Sequence, residues 1–443
     1  MSYTLLNNET PAEFKALATE NLAIKGARLI DPAEGFDEIT DLVIKDGKIA
    51  AIGAIPKGFS GDAIEAAGWI VCPGLFDMHV HFREPGYEYK ETIQTGCNAA
   101  VAGGFTGVAT MPNTNPATDN PALVKLQREK AEGTPVEVVP IAAVTKERKG
   151  ETLAEMAELH EAGVNAFSDD GSPVFNAEIM RLAIEYTRMF DGVIIEHCED
   201  SQLSGKGIMD EGALSTSLGL AGWPSVAEDI DAYRAIRLAE YTGGRAHIAH
   251  VSTLETVELI RDAKARGVRV TAEVTVQHLT LDSSVMTSYD SDYKVNPPLR
   301  TPDDVRALIE GVVDGTIDAI VTDHAPHAPD EKDVELMLAP FGMIGLETAL
   351  GVVLTKLVAE NKISLRRVLE TMSEAPRRIL GLNSAKIKPG YEANLTMFDP
   401  EKEWTVDRDK FQSKAKNTPF NGWQLKGAAC GVINKGIAWI RQD

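Results

Sequence analysis

Residues 74–81 read GLFDMHVH, and the fold is decided by how this stretch repeats along the chain. A short apolar run that does not alternate with polar residues reads as a strand buried on both faces. It ends on His79 and His81, whose i, i+2 spacing in a strand points both imidazoles to one face. Seven further runs follow: GVATMPN (107–113), VEVVPIAAV (136–144), NAFSDDG (165–171), VIIEHCED (193–200), AHIAHVS (246–252), VRVTAEVTV (268–276) and DAIVTDHAP (318–326). Helix-period segments lie between them, among them 151–163, 227–241, 254–267 and 302–315. Eight β/α alternations predict an α/β protein built on a (β/α)8 TIM-type barrel; an open doubly wound sheet is the competing layout.

Outward from the barrel the rhythm changes. NLAIKGARLI (21–30), DLVIKDGKIAAIG (41–53) and WIVCPG (69–74) precede it; KIKPGYEANLTMFD (386–399), GAACGVINKG (427–436) and IAWIRQ (437–442) follow it. These short β runs with Asp, Gly and Pro turns predict one discontinuous β-sandwich made from both ends of the chain. The expected division is an N-terminal extension over 1–20, read as a frayed arm or short helix, then β domain 21–72, barrel 73–387 and β domain 388–443. GGFTG (103–107) lacks the Lys-Ser/Thr of a phosphate loop and reads as a packing point.

With 443 residues, 44% hydrophobic and 25% charged, the chain has the make-up of a globular enzyme. A formal net charge of -22 argues against nucleic acid or an anionic membrane as partner. The start has no basic or apolar signal region, and Cys72, Cys97, Cys198 and Cys430 show no framework spacing. A cytoplasmic location with free thiols is expected.

The polar residues fall at strand ends, where a barrel places its active site. His79 and His81 end strand one, Asp169 and Asp170 strand four, His197 strand five, His250 strand six, and Asp323 and His324 strand eight. Crowded carboxylates and imidazoles need a compensating cation, and this donor set suits zinc, with manganese or cobalt as alternatives.

HVHFREPG (79–86), MPNTNP (111–116), FSDDG (167–171), EHCED (196–200), HVST (250–253), NPPLR (296–300), TDHAPH (322–327) and NTPFNG (417–422) together resemble the dihydroorotases of the amidohydrolase superfamily. The likeness is to the bacterial class with Asp at strand four and runs from about Asn21 to the C-terminus. It implies reversible cyclisation of N-carbamoyl-L-aspartate to L-dihydroorotate in de novo pyrimidine (UMP) synthesis, with one or two zinc ions. It makes His79, His81 and Asp323 ligands of a first metal, and His197 and His250 ligands of a second. Asp170, rather than Asp169, would bridge them, where many relatives use a carboxylated lysine. Asp323 would also move the proton between the attacking water and the ring nitrogen. Arg83, Asn113 and His327 would bind the substrate carboxylate, and Asn296 and the Phe341–Gly342 backbone the ring amides. A homodimer and association with aspartate transcarbamoylase are family-level expectations. Two alternatives remain: an allantoinase or hydantoinase-like enzyme, and an inactive homologue serving as partner of that transcarbamoylase.

Other residues are expected to be bland. His160 reads as exposed, His247 as pointing out of the barrel mouth, His324 as an orienting neighbour of Asp323, and Cys198 as packing. Gln277-His278 departs from the two histidines common in relatives. Residues 323–342 form a long Pro-rich loop, expected to be a lid that contributes His327.

Overall fold

The computed structural model describes residues 10–442. The eight runs are all strands: β1 (Leu75–Val80), β2 (Phe105–Thr110), β3 (Glu137–Pro140), β4 (Ala166–Phe167), β5 (Val193–Glu196), β6 (Arg245–Ile248), β7 (Val270–Thr275) and β8 (Ala319–Val321). Strands β1 to β3 pair in parallel, as do β4 to β8. Parallel bridges from Ala142 to Phe167 and from Val80 to His324 join the two halves and close the ring. The barrel reading holds and the open sheet is excluded. Asp77 reinforces the closure: its carboxylate accepts the Thr322 N–H at 3.1 Å and the Thr322 hydroxyl at 2.5 Å. Burial lifts this carboxyl to about 7.

Helices cover the outside for local reasons legible in the chain. Pro302–Asp314 starts on a capping box between Thr301 and Asp304 with Pro302 in its first turn, and stops at Gly315, whose φ of 87° suits glycine. The 151–163 segment is helical only over Met156–Glu161. Inside the ring, Phe76, Met78, Ala109, Ile141, Val193 and Val321 belong to one packed apolar layer. The interior therefore has an apolar layer below the strand ends, crossed on the β6–β7 side by the buried pair His247 and Glu273.

The β domain is a nine-stranded sheet drawn from both ends of the chain. Its alternation assigns each face. Val71, Met397, Ile433 and Ala438 join the domain's own core, while their neighbours Ile70, Phe398, Val432 and Trp439 pack into the barrel's outer core. The break expected after residue 20 is not a boundary of this sheet. Phe14–Ala18 form an edge strand, antiparallel to Ile437–Arg441, in place of the expected arm or helix; residues 1–9 lie outside the described residues. Among the described residues no helix is long and apolar enough to cross a membrane, and all four cysteines are free and buried.

Trp439, 1% exposed, is the largest of the sheet residues that pack into the barrel's outer core. Trp439→Ala should destabilise the protein by about 3–5 kcal/mol. A denaturant midpoint unchanged from wild type would show that this contact is not what joins the two parts.

Candidate metal centre

Above the apolar layer the strand ends bring six side chains together. Asp170 Oδ1 lies 3.5 Å from each of His79 Nε2, His197 Nδ1 and His250 Nε2, and Asp170 Oδ2 lies 3.6 Å from His81 Nε2. Asp323 Oδ1 lies 2.9 Å from His81 Nε2 and 3.6 Å from His79 Nε2. His79, His81 and Asp170 form one group of candidate ligands, and Asp170, His197 and His250 a second, with Asp170 common to both. Asp169 faces elsewhere, accepting the Thr145 N–H at 3.0 Å and the Thr145 hydroxyl.

Two imidazoles are held in the tautomer a metal needs. A carboxylate oxygen can only accept, so His79 Nδ1 donates to Glu273 (2.5 Å) and His197 Nε2 to Glu199 (3.2 Å); His81 has Nδ1 2.8 Å from Asn113 Oδ1 and Nε2 2.9 Å from Asp323 Oδ1. The opposite ring nitrogens of His79 and His197 are turned into the cluster. There, His79 Nε2 and Asp170 Oδ1 are buried with no hydrogen-bond partner among the described residues, and His197 Nδ1 stands 2.8 Å from His250 Nε2. Orphaned buried acceptors cost free energy, and a divalent cation on each side of Asp170 would satisfy them. The residues fit the group.

Electrostatics follow from the crowding. Burial disfavours a charged His79, but the carboxylates of Asp170 and Glu273 outweigh it and hold its pKa well above the usual range. Burial likewise opposes charge on His197, yet Asp170 and Glu199 raise it to about 10. At His81 burial prevails and lowers the pKa. Burial would raise Asp170 and Asp323, but the imidazoles around each hold both below the ordinary carboxylate range. Backbone strain gathers at the same place: Arg83, His250 and Asp323 have φ of 62°, 32° and 49°. Non-glycine residues adopt this region at a cost of roughly 1–3 kcal/mol each and keep it only where their surroundings dictate it.

A family profile described as Dihydro-orotase-like matches residues 68–256. A dihydroorotase of Pelotomaculum thermopropionicum is 52% identical over 422 residues, covering 95% of this chain and 99% of that one. A dihydroorotase of Geobacter metallireducens is 50% identical, covering 94% and 98%. This chain belongs to the dihydroorotase family. Among solved structures, an L-hydantoinase (dihydropyrimidinase) from Arthrobacter aurescens superposes with a TM-score of 0.84 at 26% identity, covering 94% of this chain and 95% of that one.

Around the centre, the residues that the dihydroorotase pattern assigns to substrate fall into two sets. Arg83 stands beside the cluster; its Nε donates to the Pro326 carbonyl at 3.1 Å, and its two terminal nitrogens have no protein acceptor among the described residues. Burial lowers its pKa to about 10, so it stays charged at neutral pH. Asn113 orients His81 through Oδ1, which leaves its Nδ2 as a donor. The second set is already engaged within the protein. Asn296 Nδ2 donates to Glu199 at 3.2 Å, and His327 Nε2 donates to the Phe341 carbonyl at 2.8 Å. Burial, with Arg83 and Lys90 nearby, lowers His327 to about 3 and keeps it neutral. The Gly342 N–H donates to the Lys294 carbonyl at 2.8 Å, so it is not free for a ring amide here.

Several bland readings need correction. His247 does not leave the mouth; it is fully buried in the barrel, its Nε2 donating to Glu273 at 3.1 Å. His160 is half-buried and stacks on Phe190. His324 does not orient Asp323: its Nδ1 accepts the Gly345 N–H at 3.3 Å. Gln277 donates to the Thr322 carbonyl at 3.1 Å and so ties β7 to β8 beside Asp323. Cys198 packs, as expected. In the 323–342 loop, Lys294 Nζ donates to the Leu336, Met337 and Ala339 carbonyls at 2.8, 3.2 and 2.7 Å. Lys332 Nζ donates to those of Pro340 and Gly342 at 3.1 and 3.0 Å.

Glu273 and Glu199 were missed. A charged residue in the middle of the apolar run VRVTAEVTV was the available signal for Glu273, and Glu199 sits two residues past His197. Glu273→Gln should weaken Zn2+ binding roughly 10–100-fold, read by chelator competition; an unchanged affinity would remove Glu273 from the centre. Because His79 and His197 hold protons to high pH while no cation is bound, loading must expel them. Zn2+ affinity should therefore fall as pH is lowered, with proton release visible in calorimetry across buffers of different ionisation enthalpy. A pH-independent affinity would contradict the proton inventory drawn here.

Proposed function

We propose that this chain is an active, cytoplasmic dihydroorotase that interconverts N-carbamoyl-L-aspartate and L-dihydroorotate plus water, using one or two Zn2+ ions held by His79, His81, Asp170, His197, His250 and Asp323. The observation that carries the proposal is the convergence of six side chains from five strand ends on a carboxylate shared between two ligand groups. Bound there, a divalent cation supplies a Lewis acid for the amide carbonyl and brings water to an ionisable state near pH 7.

The chain's own residues do the rest. Asp323 sits at the mouth with Oδ1 on His81 Nε2 at 2.9 Å. In hydrolysis it takes the proton of the attacking water and delivers it to the leaving ring nitrogen. In cyclisation the same carboxyl protonates the departing hydroxyl, so one group serves both directions. The fork of Arg83 matches the substrate's free carboxylate, with Asn113 Nδ2 as a further donor. The neutral His327 shapes the pocket through the Phe341 carbonyl rather than by charge. The 323–342 loop meets the site at Arg83, whose Nε donates to the Pro326 carbonyl at 3.1 Å.

A hydantoinase reading shares the fold, but a half-buried guanidinium whose terminal nitrogens have no protein acceptor among the described residues asks for an anionic substrate. The inactive reading would require missing ligands, and every position is filled.

Dihydroorotate hydrolysis should be lost on chelation and restored by Zn2+. Asp323→Asn should lower kcat by about 10²–10⁴-fold. Full activity of both the chelated protein and this variant would end the proposal. Arg83→Gln should raise KM for dihydroorotate while leaving bound metal unchanged, and equal turnover of a hydantoin lacking a carboxylate would favour the hydantoinase reading.

A further inference from the structure

Arg148, on the loop after β3, has no place in the chemistry above, yet it grips the end of β4. Its Nε and Nη2 donate to the Asp169 carbonyl at 3.2 and 3.0 Å, and Nη2 donates to the Asp170 carbonyl at 2.6 Å. The Asp169 carbonyl has a further donor in the Ser172 N–H at 3.0 Å; the Asp170 carbonyl has no other among the described residues. Among the described residues no carboxylate pairs with this half-buried guanidinium, so a charge partly drawn from water is directed at two backbone oxygens.

The loop is shaped for that grip. Glu147 and Arg148 both have left-handed backbone, with φ of 55° and 57°, a conformation that persists only where contacts impose it. Those contacts are present. The Glu147 N–H donates to Asp119 at 2.9 Å, and the Gly150 N–H donates to Thr145 Oγ1 at 2.9 Å. Thr145 in turn holds the Asp169 carboxylate. The strand end is thus fixed twice, by Thr145 at the Asp169 side chain and by Arg148 at both carbonyls.

An Asp ligand makes this matter. Its carboxylate is one carbon from the backbone, so side-chain torsions cannot correct a misplaced strand end. Asp170 has to sit 3.5–3.6 Å from four imidazole nitrogens at once. We propose that Arg148 is a positioning residue for the metal centre, clamping the β4 end so that the Asp170 carboxylate stands between the two histidine pairs. This rests on the two-cation form of the proposed function, in which both ligand groups that share Asp170 are filled.

The test titrates metal-free, full-length protein with Co2+, following calorimetry and the visible Co2+ spectrum, for wild type, Arg148→Gln and Arg148→Lys. Wild type should take two Co2+ per chain. Arg148→Gln should bind the second roughly 10–100-fold more weakly with an altered spectrum. Arg148→Lys, able to reach one carbonyl, should fall between. Isotherms and spectra identical to wild type would overturn the clamp, as would a lowered Tm of the metal-free variant with cation binding intact. If Arg148→Gln does not fold, Arg148→Lys decides on the same criteria. A wild type that binds fewer than two divalent cations would instead overturn the two-cation reading on which the clamp depends.

Discussion

Asp170 Oδ1 is enclosed by three imidazole nitrogens at 3.5 Å and receives no hydrogen bond from the described residues. A buried carboxylate in that position is unstable unless positive charge is brought to it, as protons on the histidines or as metal ions. Protons and metal compete for the same lone pairs, so loading, pH response and proton movement are tied to this one crowded oxygen. The barrel is what makes the crowding possible, because five strands end within reach of a single point.

Holding that crowd in place takes a layer of buried acids and amides beneath and beside it. Glu273 accepts from His79 and His247 at once, Glu199 from His197, Asn296 and the Ser204 hydroxyl, and Asn113 pairs with His81. Each fixes a ring orientation that a free imidazole would not keep. Asp77 and Gln277 act one step further out, seaming β1 and β7 to β8 where Asp323 begins.

The β domain takes part in the site as well as flanking the barrel. Its 406–423 connection reaches the mouth, where Asn417 accepts the His327 N–H at 3.1 Å and donates to the Ala325 and Gly342 carbonyls, each at 3.1 Å. Glu91, on the barrel, receives the Ser413 hydroxyl and the Lys414 N–H. The NTPFNG motif is therefore a strap across the loop that bears His327, which gives it a physical role beyond that of a family marker.

The sequence by itself determined the eight strands, their ring, the β layer from both chain ends and the ligand candidates, because buried parallel strands are apolar throughout and place their polar residues at one end. It could not show that residues 14–18 complete the sheet, since an edge strand needs a partner more than a pattern, and its partner lies some 420 residues away. Nor could it separate Asp169 from Asp170 without the family likeness: adjacent carboxylates differ only in which way the backbone turns them, and Thr145 and Arg148 settle that from another loop. The tertiary structure alone decided that His247 is internal, that His324 serves the backbone, and that Glu273 holds His79. Each depends on a contact between distant segments, and local composition carries no record of such contacts.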